Sequence, residues 1–177
     1  MPLVLTIGHS TRPLEALIAA LSANGVERLL DIRTIPRSRY NPQFNRESLA
    51  AALPAASIAY QHHPGLGGLR RPLPDSPNRG WRNAGFRGFA DYMQTAAFAS
   101  EIEALIEEAR SQRLAIMCAE AIPWRCHRSL VADALAVRGV AVEHIIDAGH
   151  RAPHKLTAFA RVEGARLTYP PPEAELL

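Results

Sequence analysis

The chain reads as an α/β fold: a mostly parallel, Rossmann-like sheet flanked by helices in three layers, interrupted by a long irregular loop at about 61–85. Three observations predict it. Short, β-rich apolar runs at 3–7, 28–32, 113–117 and 140–146 alternate with segments whose apolar residues recur at helical spacing. Three of those runs empty into polar clusters, as strands of open α/β sheets do where they carry sites. At 177 residues and 47% hydrophobic, the chain suits one domain with a full core. We place that core at about 3–146 and read 147–177 as a C-terminal extension.

The elements follow in order. The first strand, 3–7, ends in Gly8-His9-Ser10-Thr11. Leu14, Leu17, Ile18 and Leu21 then mark a helix over 13–24, with Thr11 as its expected cap and Gly25 as its stop. The second strand, 28–32, leads into Asp31, Arg33 and the Pro36-Arg37-Ser38-Arg39 loop. A short helix over 46–53 and a strand over 57–60 come next. Residues 61–85 hold four Pro and five Gly, too irregular for a regular element. Loops of that length are uncommon unless functional or mobile. Helices are predicted over 86–98, 101–110 and 123–138, the last closed by Gly139 after the strand at 113–117. A strand at 140–146 and a small hairpin over 159–169, turning at Glu163-Gly164, complete the set.

Composition narrows the partners. No apolar run approaches the roughly 20 residues of a membrane helix, and 3–7 lacks the charged lead-in of a signal peptide. A cytoplasmic, membrane-free protein is expected, and in that compartment two cysteines are more often thiols than a disulfide. The bases are 19 Arg and one Lys, Lys155. Residues 33–87 carry nine Arg against Glu47 and Asp75, a local balance of +7 in a chain of net charge +3. Such a field suits an anionic small molecule, leaves nucleic acid open as an alternative, and equally suits a solvated basic loop.

The chemistry concentrates in Cys118-Ala119-Glu120-Ala121-Ile122-Pro123-Trp124-Arg125-Cys126-His127-Arg128. Cys126, His127 and Arg128 are expected in the first turn of the following helix, where free N–H groups and the dipole lower a thiol pKa. Cys118 or Cys126 is thus a candidate nucleophile, and either could equally be a packed core thiol. Glu120 is a candidate base, or an acid that pairs with Arg33 or Arg128 to orient it. His127 is suited to acid/base work. Zinc is disfavoured because seven residues separate the cysteines, so no metal is assigned, and the cofactor is left unknown. Arg33, Arg37, Arg39 and Arg128 are candidate anion ligands, with Ser10 and Ser38 as short donors. A parallel sheet would bring His9, Asp31-Arg33 and Cys118-Glu120 to one edge.

Gly65-Leu66-Gly67-Gly68 matches neither a P-loop nor a dinucleotide fingerprint and reads as a plain turn. Trp81, Phe86, Phe89 and Tyr92 could stack on bases, and their spacing fits core packing as well.

Taken together, TIGHSTR, DIRTIPRSR (Asp31 to Arg39), the LGG turn, a Phe-x-x-Tyr-Met helix and CAExxxxxCHR resemble the domain-of-unknown-function family 488 over residues 3–146. The resemblance implies a small α/β protein of bacteria or archaea. It marks His9, Ser10, Asp31, Arg33, Ser38, Arg39, Cys118, Glu120, Cys126, His127 and Arg128 as motif positions, and implies no particular reaction.

Three functions remain. One is a thiol-dependent or acid/base enzyme acting on a phosphate-bearing or other anionic small molecule. It would resemble low-molecular-weight phosphatases or rhodanese-like enzymes in outline, but the Arg of a Cys-x5-Arg loop is replaced here by Trp124. The others are a nucleic-acid or nucleotide binder and a ligand-binding module without turnover. Oligomeric state is left open.

Overall fold

Apolar residues run unbroken along the central strands, so both faces of the sheet must be covered, and they are. A computed structural model describes residues 2–172. Its strands β1 (Leu3–Gly8), β2 (Arg28–Asp31), β3 (Ala59–His62), β4 (Leu114–Cys118), β5 (Ala141–Asp147) and β6 (His150–Pro153) form one sheet in the order β3-β2-β4-β1-β5-β6. The first five are mutually parallel and β6 is antiparallel to β5.

Helices α1 (Leu14–Ala23) and α2 (Arg46–Ala55) cover one face, burying Leu17, Leu21, Leu49 and Leu53 against Leu5, Ile7, Leu29 and Met117. Helices α3 (Ala84–Tyr92), α4 (Ala96–Ser111) and α5 (Arg128–Ala136) cover the other, where Phe89, Ile102, Leu105 and Leu135 meet Val4, Leu30, Leu114 and Ile116. Each fully buried aliphatic side chain contributes about 1.5–3 kcal/mol. Right-handed crossovers require this split. The chain moves one way across the sheet through α1 and α2 and back the other way through α3, α4 and α5.

Boundaries differ from expectation where local polar chemistry intervenes. The first helix starts after Pro13, with no side-chain cap from Thr11. The segment 86–98 is two helices, because the Thr95 side chain accepts the Phe98 N–H and starts α4 afresh. The predicted 123–138 helix is broken as well: Pro123–Arg125 is a 3-10 turn, Cys126 is extended (φ −132°, ψ 148°), and α5 begins only at Arg128. Cys126 therefore precedes the helix rather than occupying its first turn.

The described part of the C-terminal extension is tied to the core at a few points. β6 extends the sheet, and β7 (Arg161–Glu163) pairs with β8 (Arg166–Thr168) around Gly164, whose φ of 65° suits the turn. Leu167 and Tyr169 are buried beneath α3 and α5. The last part of the expected extension, 173–177, lies outside the described residues. The loop at 61–85 is tied down rather than loose: Asp91 of α3 accepts from Leu73 N, Ser76 Oγ and Asn78 Nδ2 at 2.6–2.8 Å. Among the described residues no helix is long and apolar enough to cross a membrane.

Candidate functional site

Parallel register brings the carboxyl ends of β1, β2 and β4 together. Gly8 lies beside Cys118 and Asp31 beside Met117. His9 N donates to the Cys118 carbonyl and Ser10 N to that of Ala119, both at 2.9 Å. Gly8 has to be glycine, because a Cβ there would stand 1.8 Å from the Glu120 carbonyl oxygen. Over this rim opens a cleft of about 420 Å³, lined among others by His9, Arg33, Ser38, Cys118, Glu120, Cys126 and His127.

At the β2 end, Asp31 is fully buried and faces Arg33 rather than the cleft. Arg33 Nε and Nη2 donate to its two carboxylate oxygens at 2.8 and 2.7 Å, and Tyr60 OH adds a third bond at 2.6 Å. Burial lowers the Arg33 pKa, but the bonds and charge of Asp31 outweigh it and leave it above its ordinary value. His9 donates through Nδ1 to the Ser10 carbonyl, so its Nε2 accepts from Arg33 Nη1 at 3.3 Å. Burial holds His9 below its usual pKa, and it is a neutral prop stacked on Phe44.

At the β4 end, Arg128 is fully buried. Expected as an anion ligand, it does not line the cleft. Its Nη1 donates to Cys118 Sγ at 2.7 Å and to the Glu120 carbonyl, its Nη2 to the Ala121 carbonyl at 3.1 Å, and its Nε to Thr6 Oγ1 at 3.2 Å. Among the described residues no carboxylate touches it. The expected Glu120–arginine pair is likewise absent there: the exposed Glu120 carboxylate accepts from Ile122 N at 3.5 Å, and Arg128 holds its backbone instead.

The two thiols differ sharply. Burial pushes Cys118 up, but the hydrogen bond from Cys126 and the charge and hydrogen bond of Arg128 overcome it and pull it down to about 7. Cys126 is driven well above the ordinary range by its hydrogen bond to Cys118 and by burial. Cys118 is the more acidic thiol of the pair. His127 Nε2 faces the carbonyls of Leu66 and Ile32 at 2.9 and 3.2 Å, so it carries the proton and leaves Nδ1 as an acceptor 3.5 Å from Cys126 Sγ. Burial lowers its pKa to about 4. The LGG turn lies against this ring, and a Cβ on Gly68 would come within 2.6 Å of Nδ1. That glycine serves close approach, not plain turning.

Of the other expected residues, Ser38 lines the cleft, and its Oγ accepts from Asn41 N at 3.0 Å. Ser10 and Arg39 do not line it; Arg39 is exposed and sits 5.9 Å from the Tyr40 ring. Arg37 and Arg125 do line it, and neither guanidinium has a partner among the described residues. Arg125 and Asn83 escaped sequence reasoning, while Phe86 was expected only as a stacking or core aromatic. Only the position of Arg125 beside Cys126 hinted at its place. Within the described residues no group of three or more His, Cys, Asp or Glu is arranged to hold a metal ion.

The family model described as Domain of unknown function DUF488 matches residues 13–135, from the start of α1 to the end of α5. The chain belongs to this family. Comparison with curated proteins and with solved structures gives no match. In this DUF488 chain the matched span carries Arg33, both cysteines and Arg128, while His9, just after β1, precedes it.

A second polar assembly, unanticipated from the sequence, lies behind Arg128. Arg128 Nε–H donates to Thr6 Oγ1, Thr6 to His144 Nδ1 at 2.5 Å, His144 Nε2 to His154 Nδ1 at 2.9 Å, and His154 Nε2 to Asp133 Oδ1 at 2.7 Å. An arginine only donates and a carboxylate only accepts, so the two ends fix every tautomer between them. Tyr169 OH and Thr157 complete the shell of Asp133. The available signal was polar residues inside apolar runs: Thr6 in β1, Asp133 in α5 and His144 in β5.

Proposed function

We propose that this protein is a cytoplasmic enzyme in which the Cys118 thiolate attacks a phosphate-bearing or other anionic small molecule held in the cleft. The observation that carries the reading is the contact of a fully buried guanidinium with Cys118 Sγ at 2.7 Å, with no carboxylate against that guanidinium among the described residues. A buried cation stabilises an adjacent anion strongly, and a thiolate is the nucleophilic form of cysteine. Arg37, Arg125 and the remaining Nη1 donor of Arg33 would receive the anionic group, with Glu120 as the one carboxylate lining the cleft among the described residues. In the step, Sγ bonds to the electrophilic centre, the leaving group departs with its electron pair, and Glu120 is the side chain suited to move its proton. Arg128 Nη1 keeps the Cys118 sulfur hydrogen-bonded in the resting state.

The test is alkylation by iodoacetamide, followed by peptide mass spectrometry across pH. Cys118 should react with a midpoint near 7, Cys126 should stay unmodified well past that, and millimolar phosphomonoesters should slow the reaction. A midpoint at the ordinary thiol value near 8.5 would remove the nucleophile. Protection by a short oligonucleotide but not by small phosphomonoesters would instead put nucleic acid in the cleft.

A further inference from the structure

A second cavity, of about 960 Å³, lies on the other side of the loop that carries Glu120 and Arg125. The loop itself is the partition: Glu120, Arg125 and Cys126 line the thiol cleft, while Ala121, Ile122, Pro123 and Trp124 line the cavity. Its volume is in the upper range of sites that enclose drug-sized ligands.

The walls restrict what could fill it. Trp81, Trp124, Phe159, Ile145 and Ile146 supply a predominantly apolar lining with three aromatic rings. Two of them, Trp124 at 71% and Ile146 at 53% exposed, leave water only if something covers them. Trp81 packs edge-on to Phe159 at 4.8 Å, and its buried indole N–H has no acceptor among the described residues.

Charge supplies the other half of the specification. The lining holds Arg12 and Lys155 and no Asp or Glu. Lys155 is the only lysine of the chain, and it makes no hydrogen bond or ion pair among the described residues. Arg12 spends Nε on the Gly8 carbonyl and Nη2 on the Ile146 carbonyl, which leaves Nη1 unused. The histidines of the wall cannot answer a cationic ligand as free acceptors, since His144 and His154 are committed to the hydrogen-bonded path to Asp133.

We infer that this cavity is a binding site for a small molecule with a flat aromatic body and one anionic group, the body lying among Trp81, Trp124 and Phe159 and the anion meeting Lys155 and Arg12. The site is separate from the thiol cleft and does not depend on the chemistry proposed for Cys118. Aromatic faces supply the affinity, and the unpaired cations select an anion over a neutral or cationic analogue.

Both tryptophans of the chain line the cavity, so tryptophan fluorescence reads it directly. The probe is 8-anilinonaphthalene-1-sulfonate titrated into the folded full chain. The expected result is saturable quenching at one site per chain, not displaced by millimolar inorganic phosphate. Lys155→Glu, at an exposed position, should weaken binding by about tenfold through charge reversal. The neutral analogue N-phenyl-1-naphthylamine should bind more weakly than the sulfonate and show no response to Lys155→Glu. Filling the cavity with Ala158→Phe should abolish quenching by both probes, with circular dichroism checking that each variant is folded. Non-saturable quenching, equal affinity for the two probes, or displacement of the sulfonate by phosphate would overturn the assignment.

Discussion

Arg33, at the end of β2, faces Asp31 across a two-point contact of 2.7 and 2.8 Å, whereas Arg128, at the start of α5, has no carboxylate against it among the described residues and holds the Cys118 sulfur at 2.7 Å instead. Both guanidiniums are buried and both stand at the same rim of the sheet. The first charge is neutralised where it sits, so Arg33 can shape the cleft and offer a single donor. The second reaches a carboxylate, Asp133, only through Thr6, His144 and His154. The difference shows that burial alone does not make an arginine structural or functional. What matters is which group is left to supply the opposite charge.

Replacing the cations separately should break this contrast most visibly. Arg128→Met strands the carbonyls of Glu120 and Ala121 and should cost on the order of 3–5 kcal/mol in urea unfolding. Arg128→Lys is the milder companion, since a single ammonium cannot reach all four partners. It should retain the fold and raise the Cys118 alkylation midpoint from about 7 toward the ordinary thiol range, slowing alkylation about tenfold per pH unit at low pH. Asp31→Asn should destabilise by a similar 3–5 kcal/mol, because it leaves Arg33 buried and unneutralised, yet the Cys118 midpoint should stay where it was. A midpoint that follows Asp31 as closely as Arg128 would erase the distinction between the two arginines.

Acid sharpens the same contrast from the histidine side. His127 and His144 are both lowered from 6.5 to about 4, chiefly by burial. Between pH 6.5 and 4 the unfolded chain binds protons that the folded chain refuses. The stability these neutral rings contribute is complete above about 6.5 and lost as pH falls toward 4, at up to about 1.4 kcal/mol per pH unit for each ring. Urea midpoints measured at pH 7, 6 and 5 should therefore fall progressively. His144→Gln should flatten part of that slope, because the group that resists protonation is gone. The smallest effect is expected from Tyr60→Phe, which removes one of the bonds to Asp31 and should cost about 1.5–3 kcal/mol without altering thiol reactivity.

The alternation of apolar strands with helical patterns was legible because burial on both faces forces a period into the chain, and the meeting of His9, Arg33 and Glu120 at one edge followed from parallel pairing alone. Roles were less legible than positions. Asp31 and Arg128 look like ligands in a motif, since a sequence shows their charge but not that burial and partners have used it up. Arg125 and Asn83 reached the cleft through a 3-10 turn and a helix cap, features whose exact residues depend on packing. The relay from Thr6 to Asp133 joins β1, β5, the residue after β6 and α5, and no local window contains more than one or two of its members.

Periodicity, turn residues and the density of Cys, His and Arg in one stretch are properties of neighbouring residues, so the sequence by itself determined the layered sheet, the rim at which polar residues gather and the membership in its family. Which cysteine is the more acidic, which arginine has no carboxylate against it among the described residues, and that a second cavity opens behind the loop are differences in desolvation and in contacts between residues about 10 to 150 positions apart. Only tertiary packing decided them, because the electrostatic environment of a side chain is set by what surrounds it in space.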